Sequence, residues 1–165
     1  MDIRNPSNKY YSNRQEIVIS KYLGWSKVSG SGSRNFFPGD IISSQWVGEC
    51  KTHTTPKHKI IFNKKTWIKI SNEAISKFKL PVLFVDDGSQ KVDNTWCMFS
   101  MLPSNVHILK DYPLSIKQNI SFYDVDLKQF HTDIIDPLIF KVIWDDITVY
   151  ICTLKDFKKV YFRIM

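Results

Sequence analysis

The chain alternates polar stretches with short apolar runs, and the spacing within those runs predicts its elements. Ile17, Val18, Ile19, Tyr22 and Leu23 form a wide apolar stripe at helical spacing, which predicts a helix over 14–23. Asn13 is placed to cap that helix, Glu16 falls at its third position as in a capping box, and Gly24 ends it. Residues 1–12 read as a loose polar arm. Trp25 to Val28 predicts a short strand. Gly39 to Ile42 and Trp46 to Lys51 predict two strands around a Ser43-Ser44-Gln45 turn. Trp67, Ile70, Ala74, Ile75 and Phe78 share one face of a helix predicted from Lys64 to Lys79 and closed by Pro81. Val82 to Val85 and Thr95 to Met101 read as strands on either side of an Asp86-Asp87-Gly88-Ser89 turn. Residues 103–137 show no regular period. Phe140 to Trp144 and Ile147 to Thr153 form a hairpin around Asp145-Asp146, and Thr153-Leu154-Lys155-Asp156 opens a short C-terminal helix.

This order predicts one α/β domain over 1–165, with a central mixed β-sheet flanked by helices. The core spans 14–101, and 102–165 is a C-terminal extension with a hairpin and a short helix. No run approaches the roughly 20 apolar residues of a membrane span, and Met1 to Pro6 lack the apolar core of a signal peptide. The three cysteines, Cys50, Cys97 and Cys152, are odd in number and scattered, which speaks against a disulfide framework or a zinc knuckle. A soluble protein of a reducing cytoplasm is expected.

Charge narrows the class further. The net charge is +7, and it is unevenly spread. Residues 1–81 hold 14 Lys and Arg against five Asp and Glu, whereas 82–165 hold nine against 11. An excess of positive charge in one half attracts polyanions and supplies sequence-independent affinity for nucleic acid.

The same basic half carries a constellation of reactive side chains. Asp40 begins the second predicted strand and Glu49-Cys50-Lys51 closes the third. Side chains alternate along a strand, so Glu49 and Lys51 share a face that Trp46, Gly48 and Cys50 do not. Across the hairpin Asp40 falls opposite residues 47–49, within reach of the Glu49 carboxylate. Two carboxylates suit a hard divalent cation, with the Cys50 backbone carbonyl as a further oxygen. An amine such as Lys51 does not compete for the metal and can orient or help deprotonate a water, or stabilise charge on a phosphate. Glu16 reads either as a further ligand or as a helix-capping carboxylate. The small-residue loop Ser29, Gly30, Ser31, Gly32, Ser33, Arg34 offers amides, hydroxyls and a guanidinium to phosphate. Lys57, Lys64, Lys65 and Lys69 are placed to follow a nucleic-acid backbone. His53 and His58 read as part of a basic loop rather than as ligands, and Trp46 and Trp67 as core. Asp124, Asp126, Asp133 and Asp136 read as a solvated acidic segment.

Glu16, the Ser29–Arg34 loop, Pro38-Gly39-Asp40 and Glu49-Cys50-Lys51 together resemble the PD-(D/E)XK nuclease superfamily. Within it they are most similar to the Holliday junction resolvases of archaea and phages. The likeness covers about residues 14–101 and, more loosely, 149–161. It implies a restriction-endonuclease-like fold and phosphodiester hydrolysis dependent on Mg²⁺ (or Mn²⁺). By that likeness Asp40, Glu49 and Lys51 are catalytic and Glu16 assists. It also implies branched or four-way-junction DNA as substrate, a homodimer with two sites about a two-fold axis, and a bacterial or phage-infected cell. Gly39 departs from the literal Pro-Asp pair, and 103–137 has no counterpart in the pattern. The alternatives are another nuclease of the superfamily, acting in nicking, restriction or repair, and a non-catalytic basic nucleic-acid-binding module.

Overall fold

The computed structural model describes residues 7–28, 39–102, 110–112, 119–123 and 137–164. Helix α1 (Asn8–Leu23) starts more than a turn before the predicted Arg14, with Ser7 at its N-cap. Nothing between Ser7 and Asn13 breaks a helix, so the polar residues read as part of a loose arm continue it. Asn13 is therefore no cap, and Glu16 lies in mid-helix rather than at the third position. Gly24, at φ 72°, ends α1 in the left-handed conformation and donates its N–H to the Ser20 carbonyl.

The strands that follow are β1 (Ser26–Lys27), β2 (Ile41–Ile42), β3 (Trp46–Lys51) and β4 (Lys59–Asn63). Helix α2 (Lys64–Ser76) is capped by the Asn63 side chain, which accepts from the Thr66 N–H. Then come β5 (Leu80–Asp86), a 3-10 turn at Val92–Asn94, and β6 (Thr95–Phe99). β7 (Lys110–Tyr112) and β8 (Asn119–Tyr123) interrupt the stretch expected to be irregular, and β4 carried no prediction at all. β9 (Phe140–Trp144) and β10 (Ile147–Thr153) form the expected hairpin, and α3 (Leu154–Ile164) closes the chain. The Thr153 hydroxyl accepts from the Asp156 N–H at the start of α3, as its capping-box spacing predicts.

α2 is shorter than its apolar period suggested. It gives way at Lys77 and Phe78, the latter at φ 56°, before Pro81 is reached. Trp67, Ile70 and Ala74 make its buried arc; Ile75 lies about 100° round the helix from Ala74, and Phe78 has left the helix. Ile75 and Phe78, expected on the core face, are consequently exposed.

Eight strands form one mixed sheet in the order β1-β2-β3-β5-β6-β10-β9-β7, and β4 pairs with β8 in a separate ribbon. β3 and β5 run parallel, as do β7 and β9; the other neighbours are antiparallel. One face of the sheet buries Trp25, Trp46, Phe84, Phe99 and Phe157 together with Ile19 and Leu23 of α1 and Leu154 and Val160 of α3. The other buries Val47, Leu83, Val85 and Met98 against Trp67, Ile70 and Ala74 of α2 and Ile60, Phe62 and Ile120 of the ribbon. The α/β architecture with helices on both faces of a mixed sheet is thus observed. Among the described residues no helix is long and apolar enough to cross a membrane.

This topology fixes which ends meet. Parallel neighbours need a crossover, and α2 supplies it by running back against β3 and β5. α2 begins beside the β9–β10 turn, where Lys64 pairs with Asp145, and the strand register sets that turn level with the start of β3, at the sheet end away from Lys51. Its C-terminal end lies by the β2–β3 turn, where Lys79 donates to the Ser43 and Ser44 carbonyls.

Candidate active site

The β2–β3 register sets Ile42 against Val47 and Ile41 against Gly48, which carries Asp40 to the level of Glu49. Two hydrogen bonds fix it there. The Asp40 N–H donates to the Gly48 carbonyl at 2.8 Å, and Asp40 Oδ2 accepts from the Cys50 N–H at 2.8 Å. The carboxylate thus takes over an amide of β3 beyond the point where β2 begins. Gly39, at φ 77°, permits the turn into this arrangement, because a Cβ there would lie 2.6 Å from Val47 Cγ1.

Alternation along β3 directs the rest. Val47 joins the core on the α2 face, while Trp46 and Cys50 join the opposite one. Glu49 and Lys51 follow Val47, and Lys51 Nζ lies 2.7 Å from Glu49 Oε1. Glu49 is buried and Lys51 exposed, so the pair leads from the interior to solvent. N–H and C=O of one strand residue face the same side. The Cys50 carbonyl is therefore presented on the side where its N–H meets Asp40.

Glu16 belongs to the same neighbourhood. Its Oε2 lies 3.1 Å from Lys27 Nζ on β1. Both Glu16 and Glu49 act electrostatically on Asp40. Among the described residues Glu16 and Glu49 each have an ammonium partner, and Asp40 has none. Burial, and then repulsion from Glu49, raise the Asp40 pKa to about 6 despite the Cys50 hydrogen bond. Burial pulls the Lys51 ammonium down, but the Glu49 and Asp40 carboxylates outweigh it and hold Lys51 above the ordinary lysine value.

Asp40, which has no ammonium partner among the described residues, and the buried Glu49, whose partner is Lys51, are two hard-oxygen donors side by side, and such donors suit a divalent metal ion. Among the described residues no three His, Cys, Asp or Glu side chains are grouped to hold a metal by themselves. An ion here would rest on Asp40, Glu49 and the Cys50 carbonyl, with water completing its shell. Glu16 is committed to Lys27 and is not part of such a cage.

The remaining candidates divide. Ser29, Ser31, Ser33 and Arg34, and the acids Asp124, Asp126, Asp133 and Asp136, lie outside the described residues. Lys57 sits exposed in the loop that follows Lys51, its N–H bonded to the Asp87 carbonyl at 2.5 Å. Lys65 is exposed on the first turn of α2. Lys64 is engaged instead, paired with Asp145 and 5.9 Å from the Trp144 ring centroid, and Lys69 pairs with Glu73 at 3.7 Å. Trp46 and Trp67 are core residues, as expected. Burial pushes the Cys50 thiol well up, which removes it as a nucleophile. His53 lies in the same loop as Lys57, and burial followed by the Lys57 charge lowers its pKa.

Gln15 and Lys27 escaped sequence reasoning. A glutamine in a helix reads as surface, and a lysine on a two-residue strand reads only as charge. The adjacency of Gln15 to Glu16 was the one available signal.

No family model, no curated protein and no solved structure matches this chain.

Proposed function

We propose that the chain is a metal-dependent endonuclease of the PD-(D/E)XK type, acting on branched DNA as a homodimeric junction resolvase. The observation that carries this reading is the convergence of Asp40, Glu49 and Lys51 at one sheet end. Glu16 lies beside them, and Lys57 is exposed in the loop that follows Lys51. Glu16, Asp40, Glu49 and Lys51 follow one another along the chain in the order that the resemblance implies.

Asp40 and Glu49 would hold the cation, with the Cys50 carbonyl as the third protein oxygen. A divalent ion so held supplies Lewis-acid stabilisation of charge on the scissile phosphate. Lys51 keeps its proton beside Glu49, so its part at neutral pH is to attract the phosphate and orient a water rather than to remove a proton. Glu16 tempers Lys27 and adds to the negative field that favours a cation at Asp40. Lys57, exposed in the loop after Lys51, would meet a phosphate backbone entering the site, and such contacts carry no sequence preference.

The test is cleavage of a labelled four-way junction beside a linear duplex of the same sequence, with Mg²⁺ and with chelator. Paired symmetric cuts in the junction alone are expected, lost in Glu49→Ala and Lys51→Ala while DNA binding persists. Equal cutting of both substrates would demote the junction role to general nicking. Cleavage retained by both purified variants would overturn the site, and binding without cleavage of any DNA would favour the non-catalytic module.

A further inference from the structure

Behind the Glu49–Lys51 face, three elements converge on the main chain of β3 where it ends. Gln15 of α1 is 1 % exposed, and its Nε2 donates to the Lys51 carbonyl at 2.7 Å across 36 residues of sequence. One residue on, Thr52 Oγ1 donates to Asp86 Oδ1 at 2.5 Å, and Asp86 is wholly buried at the end of β5. Asp86 Oδ1 also accepts from the Gly88 N–H at 2.8 Å. Gln90 Nε2 then donates to Thr52 Oγ1 at 2.8 Å and to the His53 carbonyl at 3.2 Å.

Packing alone does not explain these residues. A leucine or methionine would fill the place of Gln15 without burying an amide, whose Oε1 has no partner; Asp86 Oδ2 is likewise buried and unpartnered. What the polar atoms achieve is to hold the Lys51 and His53 carbonyls and the Thr52 side chain between them. β3 alternation puts Thr52 on the face opposite Glu49 and Lys51, so the clamp grips the strand from behind and leaves their side chains toward the site.

We propose that Gln15, with Asp86 and Gln90 acting through Thr52, positions the Cys50 carbonyl and Lys51 for the chemistry. The proposal rests on the nuclease reading above. Gln15 touches no reacting atom; it acts through the Lys51 main chain. A displacement near 1 Å can lower a rate about 100-fold, so the strand end need shift only slightly.

The experiment compares wild type with Gln15→Met, which keeps volume and helix propensity but has no donor, and with Thr52→Val. For each, junction cleavage and DNA affinity are measured, with amide hydrogen exchange across Glu49–Thr52. Gln15→Met is expected to lower kcat roughly 10- to 100-fold, leave DNA affinity within about twofold, and speed exchange at Glu49–Thr52 alone. Unchanged exchange at Glu49–Thr52, or faster exchange there with kcat unchanged, would overturn the proposal. An inactive wild type with faster local exchange in Gln15→Met would overturn the nuclease reading and leave the clamp as a purely structural device, which also sinks the positioning role.

Discussion

Asp40→Asn should make the cation-free protein more stable while removing its response to Mg²⁺. The folded structure raises the Asp40 pKa from 3.8 to about 6. Two units at about 1.4 kcal/mol each put roughly 3 kcal/mol against the ionised carboxylate in the folded state. Asparagine retains an acceptor for the Cys50 N–H, but a neutral one, which costs about 1 kcal/mol. A net gain of about 2 kcal/mol is expected above pH 7, or roughly 4–8 °C in melting temperature for a chain of this size. The sign follows from proton uptake. Between pH 4 and 6 the folded wild type binds more protons than the unfolded chain, so its stability falls as pH rises and levels off above about 6. The gap between variant and wild type must therefore open with rising pH and close toward pH 4. If the ion binds with a Kd of about 1 mM, 10 mM Mg²⁺ returns about 1.4 kcal/mol to the wild type and nothing to the variant. Urea unfolding at pH 5 and pH 8, in chelator and in Mg²⁺, checks all of this. A variant less stable than wild type at pH 8 in chelator, or a gap independent of pH, would refute the reasoning.

Other perturbations test the frame that holds the site. A Cβ on Gly48 would lie 2.7 Å from Phe84 Cε2 and 2.8 Å from Ile41 Cγ1, so Gly48→Ala should cost about 1–3 kcal/mol; an unchanged urea midpoint would count against this packing. Trp46 is wholly buried and contacts Phe99 and Phe157 edge-on, and Trp46→Ala should cost about 3–5 kcal/mol or prevent folding. Thr153→Ala should destabilise by about 1 kcal/mol and Thr153→Ser should restore most of it, as read by thermal melting. Glu16→Gln should raise the Mg²⁺ concentration needed for half-maximal cleavage without weakening DNA binding, because it removes negative charge near Asp40 without removing a ligand; a loss of DNA affinity instead would place Glu16 at the DNA surface.

Local chemistry alone settled much of this protein. The stop at Gly24, the β2–β3 and β9–β10 hairpins and the capping box at Thr153 depend on neighbours a few residues apart, and periodicity and turn residues encode such contacts directly. The same is true of Glu49 and Lys51, whose common face follows from a spacing of two, and of Asp40, which a short hairpin returns to them. Where the outcome depended on distant partners, the chain was mute or misleading. β4 and β8 are strands because each pairs with the other, across a long stretch of sequence. Ile75 and Phe78 carry the apolar pattern of a buried face, but Ile75 sits off the arc buried by Trp67, Ile70 and Ala74, and the helix ended before Phe78. Gln15 resembles any surface glutamine until α1 packs on the sheet and brings it to the Lys51 carbonyl. Likewise Lys64 looks like a free cation until β9 folds back and brings Trp144 and the neighbouring Asp145 to it. The ionisation of Asp40 belongs wholly to the tertiary structure, since burial and the nearness of Glu49 and Glu16 exist only once helix, hairpin and sheet are assembled.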